Sequence, residues 1–482
     1  MTASTGGGRR VADRPPRERR RPDRSAVTAL VLLVVAGLAL ALTNGEPAAE
    51  PDGGTDGALV DRTQLSCPAT SLPDMSGAGV RARAVAGLLA TDDEGESLGD
   101  SGAIGSALVG EAPEDVDLAR GAVTPLPSGG DGPYVDAEGE AAAGLFGFRT
   151  DTSSGAGAVG ACVAPRNSWW FTGLGADLDH SSQVVLTNLD PGPAVVDLRV
   201  FGPEGEIDTI GTRGITVAPG EATTFSLADV APQTAEVMVN VQASRGRVAV
   251  AASDRYAVGP GAPVGFEWVG DAARPSRTVR LAGVPGSAST KTLVVGNPSD
   301  SEALVEVEVA GSDGSFVPTE LQEVSVSPGT VETVDLSDVL PRREAVAVRV
   351  RAQVPVTASL RAASRPDTTY ANTVTPLVGQ ATAPVPSVGR TTVQLTAGAT
   401  EAVARVEGFR ADGRSTGDDE VELAATATDT WRPARGTAYV VVAPVGGSVF
   451  GAAVYDQAAG LASLPLRTVP IRVRLPGVVP GP

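Results

Sequence analysis

The chain has 482 residues, with 57 acidic and 38 basic side chains, a formal net charge of −19, one histidine and two cysteines. So acidic a balance argues against the broad basic surface that nucleic acid rewards. One histidine and one cysteine pair leave too few ligands for a zinc site of His/Cys type, and no GxxxxGK[ST] phosphate loop occurs.

The charge is unevenly placed. Residues 1–25 carry eight arginines against Asp13, Glu18 and Asp23, a net +5, so the rest of the chain carries −24. The segment 26–42 (AVTALVLLVVAGLALAL) follows without a charge. Its length lies near the short limit of about 17–25 residues for a membrane helix, and flanking arginine keeps that end in the cytoplasm. Ala39-Leu40-Ala41 would also serve as the cleavage site of a signal peptide. The long Arg-rich lead favours an uncleaved anchor. The expected layout is a cytoplasmic tail (1–25), a transmembrane anchor or signal (26–42), a linker (43–62) and an extracytoplasmic remainder, secreted if the signal is cleaved.

Residues 63–168 read as an N-terminal β region that holds both Cys67 and Cys162. Outside the cell such a pair usually forms a disulfide. Closing a loop of this length stabilises by about 4–5 kcal/mol in the chain-entropy picture. Two free buried thiols are the plainer alternative.

Beyond residue 168 the chain repeats itself. Val184-Val185-Leu186-Thr187-Asn188 returns as Leu293-Val294-Val295-Gly296-Asn297, and Val217-Ala218-Pro219-Gly220 as Val326-Ser327-Pro328-Gly329. Val237, Val239 and Val241 return as Val346, Val348 and Val350, at the same offset of 109. A looser third copy places Thr437-Ala438-Tyr439 where Thr234-Ala235-Glu236 stood, and Tyr455 where Tyr256 stood. Residues 67–165 do not align convincingly as a fourth copy. Each copy alternates Val or Leu with charged residues, the mark of strands with one buried face. Asp-Gly and Pro-Gly pairs supply the turns. About seven short strands per copy predict an all-β fold of tandem immunoglobulin-like β-sandwich repeats at 169–280, 281–385 and, degenerate, 386–482. A β-propeller with two blades per repeat is the alternative.

Candidate chemistry is sparse. His180 lies between Asp179 and Ser181, but triads are assembled in space, not from neighbours in sequence. The polar run DLDHSSQ reads as a solvated turn. The acid clusters at Asp92-Asp93-Glu94, Glu114-Asp115 and Asp418-Asp419-Glu420 lack the spacing of a calcium loop. No catalytic residue, cofactor site or metal site is expected. Trp169 and Trp170 are the one suggestive pair. Strand neighbours face opposite sides, so one ring belongs in the core and the other at the surface, where it could anchor an interface or stack on a sugar.

The run Trp169-Trp170-Phe171-Thr172-Gly173-Leu174-Gly175, followed by the repeated strand, Asn and Pro-Gly turn, resembles a family of actinobacterial membrane-anchored exported β-proteins with aromatic-led LLxNP repeats. Asn297-Pro298 fits that pattern and Asn188-Leu189 departs from it. The resemblance covers roughly residues 160–460 and implies location and architecture, with no activity attached. The expected role is a non-enzymatic, single-pass scaffold or interaction protein of the cell envelope. Its partner would be an envelope protein or cell-wall component, with membrane contact through residues 26–42. A cell-wall glycan-binding module is the alternative.

Overall fold

The structure is a computed structural model that describes residues 57–69, 81–127, 132–152, 157–257, 264–321, 323–342, 344–364, 367–387, 389–457 and 460–473. The expected tail (1–25), apolar segment (26–42) and most of the linker (43–62) lie outside these residues. Among the described residues no helix is long and apolar enough to cross a membrane. The fold is all-β, interrupted among the described residues by one short α-helix, Leu227–Val230, and two 3-10 turns.

The repeat beginning at residue 168 shows why the sequence folds as it does. Its strands, in order, are Ser168–Leu174, His180–Thr187, Ala194–Gly202, a split fourth (Gly205–Ile207 and Ile215–Val217), Ala222–Ser226, Val237–Arg245, Ala249–Ala257 and Val264–Val269. Strands one, six, three and four form one antiparallel sheet, and five, two, seven and eight form the other. Trp169, Phe171, Leu198, Val200, Val239 and Val241 of the first sheet meet Val184, Leu186, Val250 and Ala252 of the second in one buried cluster. Burying each large apolar side chain contributes about 1.5–3 kcal/mol. A propeller blade is a single sheet around a channel. Here consecutive strands one and two belong to facing sheets, so the architecture is a sandwich.

The same strand order recurs four times. In the fourth sandwich the sheets run Ala381–Pro384, Tyr439–Gly446, Ala402–Phe409, Ser415–Leu423 and Thr428–Trp431, Arg390–Ala397, Val449–Gln457, Gly460–Pro465. The region before residue 168, which the sequence does not align, has that order too: Arg62–Ser66, Pro133–Gly139, Gly102–Leu108, Glu114–Asp115 in one sheet and Val123–Pro125, Arg81–Leu88, Leu145–Thr152, Gly157–Ala161 in the other. In the third sandwich strands six and seven are one long strand, Val346–Ser364. Its first half pairs with Ala303–Gly311 and its second half with Thr290–Gly296. At the equivalent junction in the second sandwich Gly246 has φ +73° and separates the two strands, where the third has Pro355, whose ring fixes φ at about −65° and excludes that left-handed turn.

The repeated asparagine is a turn clasp. Asn188 Nδ2 donates to the carbonyls of Gly192 and Val217 while its Oδ1 accepts from Asp190 N. Asn297 does the same with Ser301, Val326 and Ser299, each partner 109 residues on. Each sandwich is also closed at one edge by a bridge from strand one to the residues after strand eight: Ser66↔Val163, Trp170↔Ala272, Leu281↔Thr373 and Ala381↔Thr468.

The four sandwiches close on one another. Their eighth strands make contact in a circuit, first with second, second with third, third with fourth and fourth with first. Ala58–Leu59 pairs antiparallel with Arg472–Val473, joining the two ends of the described chain. Phe146 of the first sandwich packs on Tyr439 of the fourth with ring centroids 5.3 Å apart, and the two sandwiches share one apolar cluster.

Candidate functional site

His180 is not in a solvated turn. It opens strand two of the second sandwich and is 5% exposed, because the third sandwich packs over it. Its Nδ1 lies 3.0 Å from Asp254 Oδ2, and its Nε2 lies 3.0 Å from Arg361 Nη1. Asp254, on strand seven, also accepts from Ser182 Oγ at 2.6 Å and from Tyr370 Oη at 2.6 Å. Arg361 reaches across from the long strand of the third sandwich and donates to Glu236 Oε1 at 2.6 Å. Its guanidinium lies over the Tyr256 ring, 4.3 Å from the centroid.

Arg361 can only donate, so His180 Nε2 accepts in this arrangement and Nδ1–H donates to Asp254. That is the neutral tautomer. Burial disfavours the charged ring, but Asp254 and Glu236 outweigh it and raise the His180 pKa to about 9. The two tendencies conflict at Nε2: a second proton there would face Arg361 and would have to turn toward Glu236 Oε1, 3.8 Å away. Asp254 stays ionised despite burial, its pKa held down by His180, Ser182 and Tyr370.

Ser182, His180 and Asp254 do not form a nucleophilic triad. Such a triad places histidine between serine and carboxylate. Here the carboxylate lies between the other two, and Ser182 Oγ is itself occupied by accepting Gly175 N–H at 2.8 Å. The cluster is built to hold the second and third sandwiches together.

A second buried cluster lies where the four eighth strands meet. Asp367 of the third sandwich accepts from Gly157 N of the first at 3.1 Å, Phe266 N of the second at 3.3 Å and Leu461 N of the fourth at 2.9 Å. One carboxylate thus bonds to the other three sandwiches. Glycine permits the approach: a Cβ at Gly460 would stand 2.0 Å from Asp367 Oδ2. Beside it Glu267 Oε1 accepts from Val159 N and Trp268 N, and Oε2 meets Thr369 Oγ1 at 2.9 Å. Burial pushes Asp367 up to about 7 against the pull of its four amides. Burial, reinforced by the Asp367 charge, raises Glu267 well above its ordinary range.

The residues singled out by sequence are placed as follows. Cys67 and Cys162 are disulfide-bonded across 95 residues, joining the ends of strands one and eight of the first sandwich. Trp169 is core, its Nε1 donating to Val248 O at 2.9 Å. Trp170 faces the other way, as strand alternation requires. It is half-buried and stacks on Phe201, beside Met238, Val294 and Val331, where the second sandwich meets the third. The interface it serves is internal to the chain. Among the described residues no group of three or more His, Cys, Asp or Glu is placed to hold a metal ion.

Asp254, Glu236, Arg361, Asp367 and Glu267 do not stand out in the sequence. The available signal is a carboxylate inside an otherwise small or apolar strand, as in Ala251-Ala252-Ser253-Asp254 and Phe266-Glu267-Trp268.

No curated protein and no solved structure matches the chain. Residues 132–434 match a family of unknown function, DUF5719, over more than half of the chain, from the sixth strand of the first sandwich to the loop after the fifth strand of the fourth. The chain belongs to that family of unknown function.

Proposed function

We propose that this protein is a non-enzymatic, membrane-anchored extracytoplasmic scaffold or protein-interaction protein of the cell envelope. The observation that carries the reading is the use to which its buried polar groups are put. The Asp254–His180–Arg361–Glu236 cluster joins the second sandwich to the third, and Asp367 joins all four. The side chains that could do chemistry are thus engaged in holding sandwiches together. The disulfide supports an oxidising compartment, and the uncharged segment 26–42 supports a single-pass anchor with a cytoplasmic N-terminus. The immunoglobulin-like likeness is one of architecture, two antiparallel sheets over one core; strand one pairs with strand six here, unlike the ABED/CFG order. The glycan-binding alternative has no aromatic platform in Trp169 and Trp170, one buried and the other turned toward the third sandwich.

The test is crosslinking of the full-length chain in intact producing cells. Recovery of one envelope protein in stoichiometric amount is expected. Recovery of nothing above background, or turnover of an envelope substrate by the purified chain, would overturn the reading.

A further inference from the structure

The first and fourth sandwiches enclose a cleft of about 920 Å³, near the upper end of the volumes found for ligand sites. Four arginines line it and no acidic residue does: Arg83 from the first sandwich, and Arg390, Arg432 and Arg435 from the fourth. All four are exposed. This runs against the composition, in which acids outnumber bases 57 to 38. The four also differ from the arginines that the chain pairs with its own acids. Arg62, Arg199 and Arg247 each hold a carboxylate within 3 Å, whereas none of the four forms an ion pair among the described residues. Asp456 lies across the strand pair from Arg390 without forming one.

We propose that this cleft binds an elongated polyanion bearing phosphate-ester groups along a sugar or polyol backbone. A concave surface lined by one sign of charge focuses its field and concentrates a ligand of opposite sign. The arginine fork matches the oxygens of a phosphate ester. The walls between the charges mix Pro386 and Pro433 with the hydroxyls of Thr150, Thr152 and Thr391, which suits a ligand whose charges are separated by polyol or sugar units. A monovalent anion would leave most of the cleft unused.

The cleft is made by the two ends of the described chain, which are joined by the pairing of Ala58–Leu59 with Arg472–Val473. A bound polyanion touching Arg83 and Arg390 would bridge that closure, so binding should raise the thermal midpoint as mass action requires. The inference does not rest on the scaffold reading: catalytic turnover would overturn that reading and leave the cleft untouched.

Calorimetric titration of the purified full-length chain tests it, with a glycerol-phosphate oligomer as probe. Inorganic phosphate, oligoglutamate of equal charge, a neutral oligosaccharide and phosphatidylglycerol vesicles are the comparison arms. The oligomer should bind, weaken with salt, and lose at least about tenfold in affinity in Arg83→Ala/Arg390→Ala and again in Arg432→Ala/Arg435→Ala, since hydrogen bonds to charged groups carry that much. Arg213→Ala, in the second sandwich, should leave affinity unchanged. Lack of oligomer binding, or equal affinity in wild type and both double variants, would overturn the proposal. So would inorganic phosphate, oligoglutamate, neutral sugar or vesicles binding as tightly as the oligomer.

Discussion

The junction between the second and third sandwiches and the hub of the four eighth strands are both buried and both polar, yet they solve the problem of buried charge differently. At the junction two carboxylates, Asp254 and Glu236, face the Arg361 guanidinium and the N–H of a titratable imidazole, so each has a cationic or ionisable partner. At the hub two carboxylates, Asp367 and Glu267, meet backbone amides and a threonine hydroxyl, with no cation among their bonded partners. Amides can satisfy a carboxylate's lone pairs without supplying the opposite charge, and burial then favours the protonated acid. A charge-paired site therefore stabilises the ionised carboxylate, as at Asp254, whereas at Asp367 the amides pull the pKa down without offsetting the burial that raises it. The same difference decides how each site fails.

The largest effect is expected at the hub. Asp367→Ala leaves the amides of Gly157, Phe266 and Leu461 without their acceptor in three separate sandwiches. Each buried unsatisfied donor costs about 1–3 kcal/mol, so a loss of several kcal/mol in chemical denaturation is expected. Asp367→Asn should recover part of the loss, because its carbonyl oxygen can take the Oδ2 place and accept from Gly157 N and Leu461 N, leaving Phe266 N to face the NH₂. A cost under about 1 kcal/mol for Ala would mean that the sandwiches hold together without the hub.

The junction should respond next. Arg361→Met takes the donor from Glu236 Oε1 and from His180 Nε2, and breaking a buried pair in this way costs about 3–5 kcal/mol. It also removes the positive charge that lowers the His180 pKa. Because His180 is the one histidine in the chain, its NMR titration is unambiguous and should move upward in the variant. The two sites also have separate pH windows. His180 is raised from 6.5 to about 9 in the folded chain, so its contribution is full below pH 6.5 and is lost as pH rises through 9. Asp367 is raised from 3.8 to about 7. Here the folded state binds the proton more tightly, so stability from this group falls between pH 4 and 7. A single transition in stability against pH, instead of two, would remove the distinction between the sites.

Much of the architecture is legible in the sequence, because the repeat is written in residues that shape the backbone. Asn188 and Asn297 are needed in both copies for the turns they clasp, and Pro219-Gly220 and Pro328-Gly329 for the turns they form. The first sandwich is hidden because it preserves the strand order without those residues. The polar clusters are hidden for another reason. Alternation assumes one buried face per strand, but the eighth strands are covered on both sides: Phe266, Glu267 and Trp268 are all buried. His180 likewise reads as polar because Asp177, Asp179, Ser181 and Ser182 surround it in sequence. Packing against Tyr256 and Asp254 of its own sandwich and against the strand that carries Arg361 takes it out of water. Trp169 and Trp170 divide between core and interface as strand alternation predicts, though the interface is one the chain makes with itself.

The smallest expected effect separates charge from hydrogen bonding at the hub. Glu267→Gln keeps an oxygen to accept from Val159 N and Trp268 N, and its NH₂ can donate to Thr369 Oγ1 where the protonated acid would. It therefore imitates the neutral form that burial already favours. With no proton to lose, it removes the cost that wild type meets as pH rises above the ordinary glutamate range. Near pH 4, where the acid is protonated folded and unfolded, the variant should match wild type within about 1 kcal/mol, as expected when shape and bonds are kept, and it should gain on wild type as pH rises. At pH 9 it should be the more stable of the two. A variant that is destabilised equally at pH 6 and pH 9 would show that Glu267 acts through its charge, and the hub would then belong with the junction as a site that depends on ionised carboxylates.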